Sequence, residues 1–155
     1  MVLLYLFAFV VLINCFYFLL LSKFSFLPNP QEIEKQNFPV SVIIYAKNVA
    51  NNLKEYIPLW LNQKYSDYEI ILINDASYDD TLEVLESFEK ENSNIKIVNV
   101  ANIETFWGSK KYALTLGIKK AKHQRMVFSD ADCKPASPYW LKKMTANFTV
   151  NKQVI

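Results

Sequence analysis

From Val40 onward the chain alternates between two hydrophobic periods, and that alternation constrains its fold more than any other feature. Short β-branched runs stand at Val40-Ser-Val-Ile-Ile-Tyr45, Tyr68-Glu-Ile-Ile-Leu-Ile73, Ile95-Lys-Ile-Val-Asn-Val100 and Arg125-Met-Val-Phe-Ser129. The first of these suits a strand covered on both faces. Between the runs the apolar period lengthens to that of a helix. Asn51 to Gln63 places Leu53, Tyr56, Ile57 and Trp60 on one side, with Pro58 set to remove a backbone hydrogen bond. Thr81 to Asn92 alternates Leu82, Leu85 and Phe88 with Glu83, Glu86 and Glu89, and Ser77 or Asp79 could cap its start. Lys110 to Ala121 turns Ala113, Leu114 and Gly117 inward and its lysines outward. A last helix is predicted to begin near Ser137-Pro138, where a proline in the first turn costs little. Strand and helix in strict alternation predict an α/β fold, a Rossmann-like parallel sheet with flanking helices. Such a sheet takes ligands outside the carboxyl ends of its strands, where the strand order reverses.

The N-terminus follows neither period. Residues Met1 to Leu21 carry no charge, Asn14 is the only strongly polar side chain, and all 17 Lys+Arg and 15 Asp+Glu come later. About 20 apolar residues suffice to cross a bilayer core as a helix, which satisfies its own backbone polar groups there. A cleaved signal peptide would want a basic leading region, a shorter apolar core and a small-x-small cleavage site. None is visible, so the sequence predicts a retained transmembrane anchor over residues 1–22. A Pro- and polar-rich linker over 23–39 and the α/β domain over 40–155 follow it. The basic residues follow the span, which predicts that the α/β domain faces the cytoplasm.

A formal net charge of +2, with lysines scattered among acids, lacks the concentrated basic face of a nucleic-acid partner. Cys15 and Cys133 have no metal-type spacing and no evident disulfide partnership, which fits a reducing compartment.

The residues able to carry chemistry stand where the strands end. Phe128-Ser-Asp-Ala-Asp132 closes the fourth run. Asp130 and Asp132, two apart, would share one face if the segment stayed extended. Without a counter-charge they would repel and one would tend to protonate. A hard divalent cation, Mn²⁺ or Mg²⁺, removes that conflict and is usually completed by substrate phosphates. The plain alternative is a pair of acids capping a turn before Pro135. Asp75, closing the second run, could accept hydrogen bonds from a base or ribose. After the first run, small Ala46 would let backbone approach a flat ring, and Lys47 could reach a phosphate. Beyond the third run, Asn102 and Trp107-Gly108-Ser109 lead to Lys110 and Lys111 at a helix start, a plausible anion site. His123, in a polar stretch, reads as exposed and structural. Tyr139-Trp140 is expected to pack on the core rather than stack on a sugar.

Taken in order, Val42-Ile-Ile-Tyr-Ala-Lys-Asn48, Ile73-Asn-Asp-Ala-Ser77, Lys110-Lys-Tyr-Ala-Leu114 with Gly117, and Phe128-Ser-Asp-Ala-Asp132 resemble the family 2 glycosyltransferases of GT-A fold. The resemblance runs from about Pro39 to Trp140. It implies that Ala46 and Asp75 contact the nucleotide base and ribose. It also implies that Lys110 stands where the family often opens a helix with Gly-Lys, and that Asp130 and Asp132 hold a metal on the diphosphate of a donor, usually a UDP-sugar. The acceptor would be a glycan or lipid. Two departures bear on the donor: Val49 replaces a common Glu, and Ser109 replaces the usual Gly before Lys110. Nothing after Trp140 matches the family's catalytic Asp or its Gln-x-x-Arg-Trp segment. The expectation is therefore a donor-binding half with no assignable catalytic base. Two other readings remain. Met126-Val-Phe-Ser-Asp-Ala-Asp132 also resembles the nucleophile strand of haloacid-dehalogenase-type phosphatases, although Cys133 and Lys134 stand where that motif wants Thr or Val and three strands precede it. A membrane-tethered module that binds a nucleotide without chemistry is the other.

Overall fold

The computed structural model describes residues 1–25, 38–101, 110–146 and 148. Most of the expected linker, the Asn102 and Trp107-Gly108-Ser109 loop and residues 149–155 lie outside them. The chain divides into two compact units, Met1–Lys35 and Gln36–Ile155. In the first, helix α1 (Val2–Ser25) is long and apolar enough over Val2–Ser22 to cross a membrane, and none of that stretch is buried. Its polar side chains turn back on their own helix: the Asn14 amide donates to the Val10 carbonyl and the Ser22 hydroxyl to that of Leu19.

The second unit is a four-stranded parallel sheet in the order β3-β2-β1-β4. The strands are β1 (Val40–Ala46), β2 (Tyr68–Asp75), β3 (Ile95–Val100) and β4 (Arg125–Asp130), separated by α2 (Ala50–Leu61), α3 (Thr81–Glu91) and α4 (Lys110–Lys120) and followed by α5 (Trp140–Thr145). The winding runs outward through β2 and β3, then returns to place β4 on the other side of β1. With crossovers of one hand, that reversal moves the connecting helix to the opposite face. Accordingly α2, α3 and α5 bury Leu53, Ile57, Trp60, Val84, Leu85 and Leu141 against Val40, Val42, Ile44, Ile70 and Leu72. Helix α4 covers Ile43, Ile71, Ile73 and Val100 through Ala113. It comes so close at Gly117 that an added Cβ would stand 2.5 Å from Ile73 Cδ1 and 3.2 Å from Ile43 Cγ2.

Several expectations shift in detail. Helix α2 runs on through Pro58, which lacks the N–H for one helical bond as expected, and closes with Asn62 N–H on the Pro58 carbonyl. Helix α5 starts at Trp140, later than expected. Pro138 sits in the preceding turn, where Trp140 N–H donates to the Ser137 carbonyl and the Pro138 carbonyl accepts from Lys64 N–H. His123 is not exposed: its side chain is 9% accessible, with Nε2 3.7 Å from Asp67 Oδ1. Trp140 packs edge-on against Trp60 at 5.2 Å between ring centroids, as expected, whereas its neighbour Tyr139 is 55% exposed.

The amino ends of the strands are tied by a polar cluster that the apolar patterns hid. Buried Glu69 of β2 accepts from the Ser41 hydroxyl (2.6 Å), the Lys96 ammonium (2.7 Å) and the Lys122 N–H, and Ser41 Oγ accepts in turn from His123 N–H. Burial alone would raise the Glu69 carboxyl; hydrogen bonds from Lys96, Ser41 and Lys122 outweigh it and hold the group below its ordinary range. The cluster fixes the α4–β4 connection to the floor of the sheet, opposite the end where the candidate site lies.

Candidate functional site

Side chains alternate across a strand, so register decides which groups can meet. Tyr45 of β1 pairs with Ile73 of β2 and Asp130 of β4. Asp75, two beyond Ile73, falls on the same face. The carboxyl ends of three adjacent strands therefore present Asp75, Tyr45 and Asp130 side by side, on the face covered by α4. The reversal in strand order lies between β1 and β4, which puts Tyr45 and Asp130 at the crevice where parallel sheets bind ligands.

Two lysines close this row. Lys47 Nζ lies 3.2 Å from Asp75 Oδ2. Lys110, the first residue of α4, places its ammonium 2.5 Å from Asp130 Oδ1 and 4.7 Å from the centre of the Tyr45 ring. The Tyr45 hydroxyl donates to Asp75 Oδ2 at 2.6 Å. Burial first, then the bond to Asp75 and the charges of Asp75 and Asp130, push the Tyr45 phenol upward, so it stays protonated and donating. Asp75 is itself largely buried, its side chain 9% accessible, and among the described residues nothing donates to its Oδ1. Tyr45 escaped the sequence reading because it sits inside a β-branched run, where an aromatic reads as core.

The β1–α2 and β2–α3 loops are laced together behind this row. Asn48 and Ala76 adopt left-handed backbone, at φ 53° and 46°, so the chain turns sharply after Lys47 and Asp75. Asn48 N–H donates to Ser77 Oγ, Val49 N–H to Thr81 Oγ1 (2.9 Å) and Ala50 N–H to Asp79 Oδ2, while Asn48 Oδ1 accepts from Tyr78 N–H. Ser77 and Asp79, expected to cap α3, thus serve the start of α2; Asp79 also accepts from Thr81 N–H. Hydrogen bonding with Thr81, then with Ala50 N–H, holds the Asp79 carboxyl below its usual range.

The other expected site residues are placed less uniformly. Ala46 is 1% exposed and packs into the core on the α2–α3 face, leaving only its backbone toward the crevice end. Extended backbone ends at Asp130, so the two acids do not share a strand face. Ala131 N–H donates to the Tyr45 carbonyl, and a turn closes from Cys133 N–H to the Asp130 carbonyl, carrying Asp132 around it. The Cys133 thiol donates to Asp132 Oδ1 at 3.4 Å, and that bond, then burial, raises it. No group of three or more His, Cys, Asp or Glu side chains poised for a metal occurs among the described residues. Asp130 and Asp132 carry hard oxygen donors, and the Asp130 side chain, 48% accessible, is open to a ligand.

Comparison with known proteins finds glycosyltransferases among the relatives. An uncharacterised glycosyltransferase of Haemophilus influenzae is 34% identical over 77% of the chain, EpsJ of Bacillus subtilis 36% over 60%, and a cholesterol galactosyltransferase of Borreliella burgdorferi 36% over 61%. The chain spans only 36%, 26% and 25% of those relatives in turn. Among solved structures, a mannosyltransferase from Pyrobaculum calidifontis in complex with GDP-Man and Mn²⁺ superposes with a TM-score of 0.69 at 20% identity, over 86% of this chain and 38% of its own. S. aureus TarS in complex with UDP superposes at 0.59 and 23% identity, over 70% and 31%. These neighbours share the GT-A fold. The family model described as glycosyl transferase family 2 matches residues 41–155, and the chain belongs to that family.

Proposed function

We propose that this chain supplies the donor-binding half of a membrane-anchored glycosyltransferase, which holds a nucleotide-diphosphate sugar, a UDP-sugar first, for inverting transfer to a hydroxyl of a glycan or lipid. The observation that carries the reading is the single row of Asp75, Tyr45 and Asp130 across β2, β1 and β4, closed by Lys47 and Lys110. That row offers a carboxylate acceptor for a nucleoside at one end and, at the other, Asp130, with Asp132 in the turn beyond it, for a cation on the diphosphate.

Each residue has a definable part. Asp75, with Oδ2 held by Tyr45 and Lys47, would turn Oδ1 to the base or ribose, and Ala46 would contribute backbone only. The Lys110 ammonium neutralises Asp130 in this structure and can swing to diphosphate oxygens when a cation takes its place. Asp130 and Asp132 fit Mn²⁺ or Mg²⁺ as oxygen donors in a site open enough for phosphates to complete the shell. Such an ion supplies charge stabilisation to the departing diphosphate. The acceptor hydroxyl would be deprotonated by a base assigned to none of the residues described. Helix α1 would anchor the protein, with the α/β unit on the cytoplasmic side.

UDP bound to TarS, and GDP-Man with Mn²⁺ bound to the mannosyltransferase, support a nucleotide donor and a metal. The phosphatase reading fits less well, because the Asp-x-Asp ends the fourth strand, with three strands before it. Calorimetry with UDP tests the proposal. Binding that requires Mn²⁺ or Mg²⁺ and disappears in Asp132→Ala supports it, and absence of UDP binding at any metal concentration overturns it.

A further inference from the structure

Tyr45 makes more contacts with charged groups of the site than a core aromatic needs. Its ring packs at the edge of the Ile43, Ile71 and Ile73 cluster, its hydroxyl donates to Asp75 at 2.6 Å, and the Lys110 ammonium sits over its face at 4.7 Å. We propose that Tyr45 is a positioning residue for the donor site: its hydroxyl orients Asp75 toward the nucleoside, and its ring seats Lys110 beside the diphosphate. The proposal rests on the donor-site reading above and deepens it.

The argument starts from the acceptor capacity of a carboxylate. Asp75 is buried by nine-tenths, and two donors, Tyr45 and Lys47, converge on its Oδ2. With that oxygen engaged, the carboxylate plane is fixed and Oδ1 is the acceptor left for a ligand N–H or O–H. Lys47 cannot do this alone, since its side chain is 45% accessible and its ammonium stands farther off, at 3.2 Å. Tyr45 is the stiffer of the two partners, held by β1 and by packing under α4. Over the face of the ring, cation–π attraction adds to the pull of Asp130 on Lys110. One side chain thereby sets the spacing between the nucleoside end of the row and the diphosphate end.

The two functions separate by substitution. Tyr45→Phe removes the hydroxyl and keeps the ring; Tyr45→Leu removes both. With Mn²⁺ present, the full-length protein in detergent is titrated calorimetrically with UMP and with UDP. Tyr45→Phe is expected to weaken both by about ten-fold, as loss of a hydrogen bond to a charged partner does. Tyr45→Leu is expected to weaken UDP by several-fold more, with UMP no weaker than in the Phe variant. In an Asp75→Asn background, Tyr45→Phe is expected to add almost nothing, because the hydroxyl acts through that carboxylate. Circular dichroism melts check that each variant is folded, and the intact ring makes Tyr45→Phe the decisive one. Unchanged nucleotide affinity in Tyr45→Phe, or an equal ten-fold loss with and without Asp75→Asn, overturns the role of Tyr45 while leaving the donor site standing. A wild-type protein that binds neither UMP nor UDP removes both.

Discussion

Two carboxylates do opposite work in this molecule. Asp130 keeps an exposed charge at the crevice, matched by Lys110, whereas Glu69 keeps a buried one at the far end of the same sheet, matched by Lys96, Ser41 and a backbone N–H. The folded Glu69 carboxyl binds its proton less tightly than the unfolded one, so its contribution is present above the unfolded value and is lost as pH falls through the folded value. Replacement by glutamine is expected to cost about 2 kcal/mol at neutral pH, since the buried donors lose a charged acceptor. In urea titrations the gap between wild type and Glu69→Gln should close as pH drops below about 4, near the ordinary carboxyl range. A gap of constant size down to pH 3 would contradict this. The sequence held a signal for this cluster, because Ser41 and Glu69 interrupt β-branched runs each one residue after the strand begins. Only the parallel register, which pairs them directly, shows that the interruptions face one another. Tyr45 was hidden for the same reason, while Asp75, Asp130 and Lys110 were legible because they follow the runs instead of interrupting them.

At the scale of elements, the site depends on how helices meet the sheet and one another. The first turn of α2 takes its acceptors from the neighbouring loop: fully buried Thr81 receives Val49 N–H. Thr81→Val keeps the shape and deletes the acceptor, so a loss of about 1–2 kcal/mol is expected in denaturant titration; an unchanged midpoint would mean that water replaces the hydroxyl. Helix α4 carries Lys110 to Asp130 only because Gly117 lets it lie against Ile73 and Ile43. Alanine there gains about 1 kcal/mol of helix propensity and meets overpacking of about 1–3 kcal/mol in a tightly filled core. The net expectation for Gly117→Ala is a lower melting temperature together with weaker UDP binding, because the helix start moves with the helix. Helix existence was readable from period alone, and so were the inward faces of α2 and of α4, including Gly117; α3 buries Val84 beside Leu85, where the period pointed to Leu82. The start of α5 was not, because Pro138 serves a turn whose carbonyl is claimed by distant Lys64, a contact that no local pattern encodes. The extended reading of Asp130 to Asp132 did not hold, because a turn closes from Cys133 N–H to the Asp130 carbonyl directly after the strand.

For the whole molecule, the order β3-β2-β1-β4 with α4 alone on one face follows from the alternation and from the handedness of crossovers, and it places the crevice between β1 and β4. The apolar helix α1 lies in a separate unit with its own expected behaviour. Full-length protein should remain with the membrane pellet after alkaline carbonate washing, and a variant lacking residues 1–25 should not; recovery of the full-length chain in the supernatant would count against an anchor. The central claim concerns where a donor diphosphate sits, and crystals grown with UDP and Mn²⁺ test it most directly through the anomalous signal of manganese. The expected peak lies within bonding distance of the Asp130 and Asp132 carboxylates, with the diphosphate beside it and the nucleoside reaching toward Asp75. A manganese peak elsewhere, or UDP bound away from the carboxyl ends of β1 and β4, would contradict it.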